Sequence, residues 1–274
     1  MKEIITAYGK TDQGLIRKNN EDNFSVSEDI NLFLVADGMG GHASGQVASK
    51  MAVDIVKEQM EHGFKNNKIE DYFASMGPTK SKYANYLVNC LKIANNAIFE
   101  ASQNYPQNSG MGTTIVASLI IDGKLIIAHV GDSRLYLIRD NDINPLTTDH
   151  SVVMEQVRRG LITLEQASKS DIQNILTRAL GIEKTVNADV SEMPLNNDDY
   201  ILLCSDGLLR MVPDEQILKT INEFKEPNLI CEKLVSMAND AGGRDNITII
   251  VVNIKKGVPV MKDKIKNFFR SIVR

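Results

Sequence analysis

Apolar and polar positions follow two rhythms along this chain, and the switches between them divide it into strand-rich and helical stretches. Residues 4–8 and 23–26 read as short strands, and the wholly apolar run LFLVA (32–36) reads as a buried one. Two long helical segments follow, near 44–61 and 80–103. Val47, Ala48, Met51, Ala52 and Ile55 mark the apolar face of the first; Tyr83, Leu87, Cys90, Leu91, Ala94, Ala97 and Ile98 mark that of the second. The middle returns to strands at 113–121, 125–130 and 134–139, the first two joined through Asp122-Gly123 as a hairpin. Residues 148–185 are charged, helical in pattern and interrupted by Gly160 and Gly181, which predicts an inserted flap. A strand at 201–204, helices at 214–223 and 227–239 and a strand at 247–254 complete the order. Strands, two helices, strands and two helices predict a layered α+β domain over residues 1–254, not alternating βαβ units.

Composition narrows the function classes. A chain of 274 residues with 43% hydrophobic and 24% charged residues is ordinary for one large globular domain. No apolar run approaches the about 20 residues that a membrane span needs, and MKEIITAYGK lacks the apolar core of a signal peptide. Three widely spaced cysteines in apolar settings (Cys90, Cys204, Cys231) argue for a reducing compartment, so the expected location is the cytoplasm. The net charge of −4 conceals an asymmetry: residues 255–274 hold seven Lys or Arg and one acid, while the rest holds 24 basic and 34 acidic groups. An acidic body disfavours nucleic acid as a partner. In the 255–274 tail Met261, Ile265, Phe268 and Ile272 share one helical face, a spacing that fits weak contact with an anionic membrane surface or packing on the chain's own acidic body.

The candidate chemistry lies in acids beside apolar strands. Asp37-Gly38, Gly131-Asp132-Ser133, Asp206-Gly207 and Asp245-Asn246 all read as strand-associated turns, and Glu21-Asp22 adds two more acids. Asp-Gly is good turn chemistry anywhere. Several carboxylates beside a core are costly unless cations accompany them, and the nearby bases in sequence are Arg17, Arg134 and Arg244. A hard divalent cation such as Mg²⁺ or Mn²⁺ would suit the oxygen donors, although spacing alone does not decide between the two readings.

Seven motifs in order do. RKNNED (17–22), VADGMGGHASGQVAS (35–49), GMGTT (110–114), HVGDSRLY (129–136), DHS (149–151), LLCSDGL (202–208) and GGRDNIT (242–248) resemble those of bacterial PPM-type (protein phosphatase 2C) metal-dependent Ser/Thr phosphatases. The resemblance implies a four-layer α-β-β-α sandwich of two antiparallel sheets flanked by helix pairs. It implies hydrolysis of phosphoserine and phosphothreonine on proteins, opposing a bacterial Ser/Thr kinase, by a water activated between two Mn²⁺ or Mg²⁺ ions. Carried onto this chain, Asp37 would bridge the metals and the Gly38 carbonyl would be a further ligand. Asp206 and Asp245 would complete one shell, with Glu21 and Asp22 near the other ion. Asp132 with Asp206 would hold a third ion seen in bacterial members; Arg17 would hold the substrate phosphate and Asn246 would steady the site. His42 is a candidate general acid, displaced by three residues from the eukaryotic position, where Met39 stands here. A catalytically silent phosphoprotein-binding member is the alternative, and a monomer is expected.

Two features compete with that assignment. Cys204 to Arg210 has the C-x₅-R spacing of cysteine-dependent phosphatases, but Leu208 and Leu209 replace the small residues a phosphate-cradling loop needs. Of the remaining histidines, His129 reads as a satisfied core residue, His62 as surface, and His150 as an organiser of the flap junction.

Overall fold

Runs such as LFLVA and IVASLII are apolar on both strand faces and therefore need cover on both sides. The computed structural model, which describes residues 3–40, 44–70, 80–170 and 172–256, provides it with two stacked antiparallel sheets flanked by helices. In one sheet the order is β1 (Glu3–Asp12), β11 (Ile247–Lys256), β10 (Tyr200–Cys204), β7 (Arg134–Arg139), β8 (Asp142–Pro145). In the other it is β2 (Asp22–Ser27), β3 (Leu32–Met39), β5 (Ile115–Ile121), β6 (Lys124–Val130), β9 (Asp189–Pro194), with the two-residue β4 (Gly112–Thr113) paired to the end of β3.

Period-two alternation assigns each strand residue to a layer. Phe33 and Val35 of β3 pack between the sheets with Val116, Leu203, Ile250 and Val252. Leu32, Leu34 and Ala36 of the same strand turn outward against α1 (Ser44–Lys65) and α2 (Lys82–Asn104). On the opposite side Leu202, Cys204, Ile249 and Val251 meet α6 (Asp214–Phe224) and α7 (Pro227–Asp240). The result is the four-layer α-β-β-α sandwich, with three apolar interfaces between four layers. Among the described residues no helix is long and apolar enough to cross a membrane.

Register fixes where the chemistry sits. Asp22 pairs with Asp37 across β2 and β3, while Cys204 pairs with Arg134 on one side and Ile249 on the other. The ends of β3, β6 and β10 and the starts of β2, β7 and β11 therefore gather at one end of the sandwich. A one-residue slip would turn each of these side chains to the opposite face.

Several expectations need correction. Asp37-Gly38 is not a turn: β3 continues through both to Met39, because β4 offers Gly38 and Met39 a pairing partner. Asp206-Gly207 is not a turn either; it opens the short helix α5 (Asp206–Leu209). The buried face of α1 centres on Ala48, Ala52, Val53 and Val56, which leaves Val47 38% exposed. β8 and β9 were not expected. Both are polar edge strands, and β8 ends on Pro145, a residue that edges tolerate. The flap is helical only in part, at α3 (Val152–Arg158) and α4 (Leu164–Ser168); an isolated bridge from Ser151 to Leu176 closes it on itself, and one from Thr113 to Leu180 ties it to the body. The amphipathic tail pattern lies outside the described residues beyond Lys256.

Candidate metal and phosphate site

At the gathered strand ends lies a cleft of about 550 Å³ whose walls carry Arg17, Glu21, Asp37, Asp132, Asp206 and Asp245. Residues separated by more than 200 positions in sequence thus face one space. Each is positioned by backbone that has little freedom. The Thr113-Thr114 pair clamps Asp37: the Thr114 hydroxyl accepts from the Asp37 amide at 3.0 Å, while the Thr114 amide and Thr113 hydroxyl donate to the Asp37 carbonyl at 2.9 Å. Gly38 donates its amide to the Glu21 carbonyl, and α1 approaches so closely that a Cβ on Gly38 would lie 2.1 Å from the Gly45 carbonyl oxygen. Only glycine fits there.

Asn246 joins the other side. Its side-chain amide donates to the carbonyls of Gln13 and Asn19, both at 2.9 Å, and its side-chain oxygen accepts from the Glu21 amide at 2.8 Å. The loop that carries Arg17 is thereby tied to the residue next to Asp245. Arg17 itself donates from Nη2 to Asp245 Oδ2 at 2.7 Å. Asp22 does not line the cleft. It is buried behind it, accepting from the Ser205 hydroxyl at 2.8 Å.

The acids repel one another. Burial, followed by the charges of Asp22, Asp206, Asp132 and Asp245, holds the Asp37 carboxyl well above the usual range. Burial and the Asp206 charge push Asp132 up to about 7. Asp22 is also pushed up to about 7, chiefly by burial, against the opposing hydroxyls of Thr248 and Ser205. Asp206 is raised by burial and by Asp245, despite its ion pair with Arg210. Asp22 Oδ1 and Asp206 Oδ1 are buried with no hydrogen-bond partner among the described residues. Such a cluster of hard oxygen donors, unsatisfied and mutually raised, fits divalent cations.

Three residues to which sequence reasoning gave no part in the acidic site matter here: Arg210, Ser205 and Thr114. Arg210 follows Asp206 by four positions, the spacing of a helical ion pair, but that signal is invisible while Asp206 is read as a turn. His129 and His150 behave as expected. His150 Nδ1 accepts from the Gly131 amide at 3.1 Å, and His129 stacks on it while bonding to the Thr148 carbonyl at 2.9 Å, so the pair fixes the flap base beside Asp132. Burial pushes His150 down to about 4. Cys204 is fully buried on β10 and its thiol is pushed well up, which removes the thiolate that a cysteine mechanism needs. His42 lies outside the described residues.

The protein phosphatase 2C family model matches residues 9–247, nearly all of this fold. The chain belongs to the protein phosphatase 2C family. Among its relatives, serine/threonine phosphatase Stp of Listeria monocytogenes is 38% identical over 249 residues, 89% of this chain and 93% of that protein. Protein phosphatase PhpP of Streptococcus pneumoniae is 35% identical over 251 residues, 90% of this chain and 96% of the other. The catalytic domain of PstP, a serine/threonine phosphatase solved in complex with two manganese ions, superposes with a TM-score of 0.77 at 31% identity, covering 93% of this chain and all of that one. Stp1 of Staphylococcus aureus gives 0.80 at 33% identity, over 92% and 96% of the two chains.

The raised acids carry a stability consequence in the metal-free protein. A carboxyl whose folded pKa exceeds its unfolded value favours the fold below the unfolded pKa, and that contribution is lost as pH rises through the folded pKa. For Asp132 the window runs from 3.8 to about 7. Asp132→Asn is therefore expected to raise the melting temperature of the EDTA-treated protein at pH 8 by several degrees, and to change it little at pH 4, in paired thermal melts.

Proposed function

We propose that this chain is a metal-dependent protein phosphatase that removes phosphate from phosphoserine and phosphothreonine side chains, with two Mn²⁺ or Mg²⁺ ions held by the acidic cluster. The observation that carries this reading is the convergence of Asp37, Asp132, Asp206 and Asp245 with Arg17 on one cleft. A silent phosphoprotein-binding member would have no need to preserve so costly a set of acids.

In the proposed arrangement Asp37 would hold both ions, helped by the Gly38 carbonyl. Asp206 and Asp245 would serve one ion and Glu21 and Asp22 would support the other, Asp22 from behind the wall. Asp132 and Asp206 would hold a third. Bound cations supply Lewis acidity and lower the pKa of water toward neutrality. Arg17 sits at the mouth with a planar, permanently charged donor fork suited to phosphoryl oxygens. Its bond to Asp245 aims that fork at the acids. Asn246 keeps the Arg17 loop and Asp245 in fixed relation. The attacking water gives up a proton to solvent as its oxygen bonds to phosphorus and the bond to the Ser or Thr oxygen breaks; the departing alkoxide takes a proton, for which His42 is the candidate donor. With Cys204 sealed in the core, the displacement is direct, without a phosphoenzyme.

We further propose a cytoplasmic monomer whose counterpart is a Ser/Thr kinase, and weak attachment of the basic 255–274 tail to anionic membrane. The first reading is tested by phosphate release from a phosphothreonine peptide with Mn²⁺, with and without EDTA. Release is expected to stop with EDTA, and Asp37→Asn is expected to cost more than the about 10–100-fold typical of outer-shell changes, with an unchanged circular dichroism spectrum. EDTA-resistant release, or near-normal turnover by the variant, contradicts it. For the tail, the full chain is expected to sediment with phosphatidylserine vesicles and a chain ending at Lys256 to remain in solution; equal sedimentation contradicts the attachment.

A further inference from the structure

A second groove, about 660 Å³, runs from the acidic cleft beneath the flap. It is continuous with the catalytic space, since Arg17, Asp132, Asn174, Asp206, Arg210 and Asp245 line both. Its character changes away from the acids. Val153 and Met154 of α3, Leu164 of α4, and Leu209 and Met211 just past the α5 acid give it an apolar lining. Leu164 is 65% exposed, an arrangement that leaves apolar area facing water with no covering element among the described residues.

The groove wall carries four guanidinium groups, and their pairing is unequal. Arg17 is bonded to Asp245, Arg210 to Asp206, and Arg134 to both oxygens of Asp149 at 2.8 Å. Arg244 is exposed and makes no hydrogen bond or ion pair among the described residues. It adjoins Asp245 in the chain and lines the groove but not the acidic cleft. A peptide threaded from the cleft along this groove would be extended, rising about 3.3 Å per residue. Side chains close in sequence to the phosphorylated residue would then pass both features.

Resting on the phosphatase reading above, we infer that this groove is the subsite for the substrate chain flanking the phosphorylated residue, and that it selects an acidic side chain, held by Arg244, near an apolar one seated against Leu164 and Met211. Charge complementarity and continuity with the catalytic cleft both favour that occupant. An acidic residue gains a charge-assisted bond to a guanidinium that has no partner to give up among the described residues. A basic residue at the same place meets Arg244 as a like charge.

The test compares kcat/KM for phosphothreonine peptides with Glu or Lys at successive positions on either side of the phosphorylated residue, with Mn²⁺. The ratio for one enzyme form cancels any general change in activity. The wild type is expected to prefer Glu over Lys by about threefold or more at one or more positions, the range of an exposed ion pair. Arg244→Glu is expected to invert the ratio there, and Arg244→Ala to bring it near unity. In the apolar arm, Leu164→Asp is expected to abolish a preference for Leu over Asn at a neighbouring position. Ratios identical in wild type and Arg244→Glu at every position overturn the assignment of Arg244, and an unchanged Leu preference in Leu164→Asp overturns that of the apolar wall. In either case phosphate release would leave the phosphatase reading standing. No release from any peptide by the wild type would overturn both.

Discussion

Mutual repulsion among carboxylates governs one end of this molecule, and the surrounding structure can be understood as the means of holding them together. Asp37, Asp132, Asp206 and Asp245 face one cleft, with Asp22 behind its wall, and the charges of several of them raise the pKa of Asp37. Arg17 and Arg210 offset part of this from the outer edge, through Asp245 and Asp206. They leave buried acid oxygens on Asp22 and Asp206 without partners among the described residues. A cluster that is unfavourable when empty becomes favourable when cations bind, so the fold stores affinity as electrostatic strain.

Rigidity is what makes that storage possible. Each acid is anchored where a strand begins or ends, and each anchor is cross-tied: Asp37 by Thr113 and Thr114, the Arg17 loop by Asn246, the flap base by His150. The two-sheet core behind them is apolar on both faces of every central strand, so relaxing the acids apart would require moving packed strands. The same rigidity defines the mouth of the cleft, where a phosphoryl group would meet Arg17 and a flanking chain would meet Arg244 and the flap.

A layered α+β domain was legible in the sequence because apolar strands and helices announce themselves by period. The α-β-β-α order was what the family resemblance implied, and it agrees with runs such as LFLVA, which need cover on both sides, and with helix pairs that have one apolar face. β8 and β9 were not legible, since edge strands lack the apolar signature of central ones. The acids could be named from their motifs, but their local setting could not. Asp37 lies within a strand because β4 pairs beyond it, a long-range fact that Asp-Gly turn chemistry conceals. The pairing of Arg210 with Asp206 escaped notice for a related reason: it exists only once α5 is known to be a helix. Asp22 could be named beside Glu21 from its motif, yet its burial behind Ser205 depends on strand register and a contact 183 positions away.

The account stands on the claim that the gathered acids form a site for two divalent cations with Asp37 at its centre. Calorimetric titration of Mn²⁺ into the EDTA-treated, dialysed protein tests this most directly, because it reads binding without reference to turnover. The wild type is expected to take up at least two ions per chain, and Asp37→Asn to lose both of the sites that share it. Absence of Mn²⁺ binding by the folded wild type, or undiminished stoichiometry and affinity in Asp37→Asn, would contradict the claim.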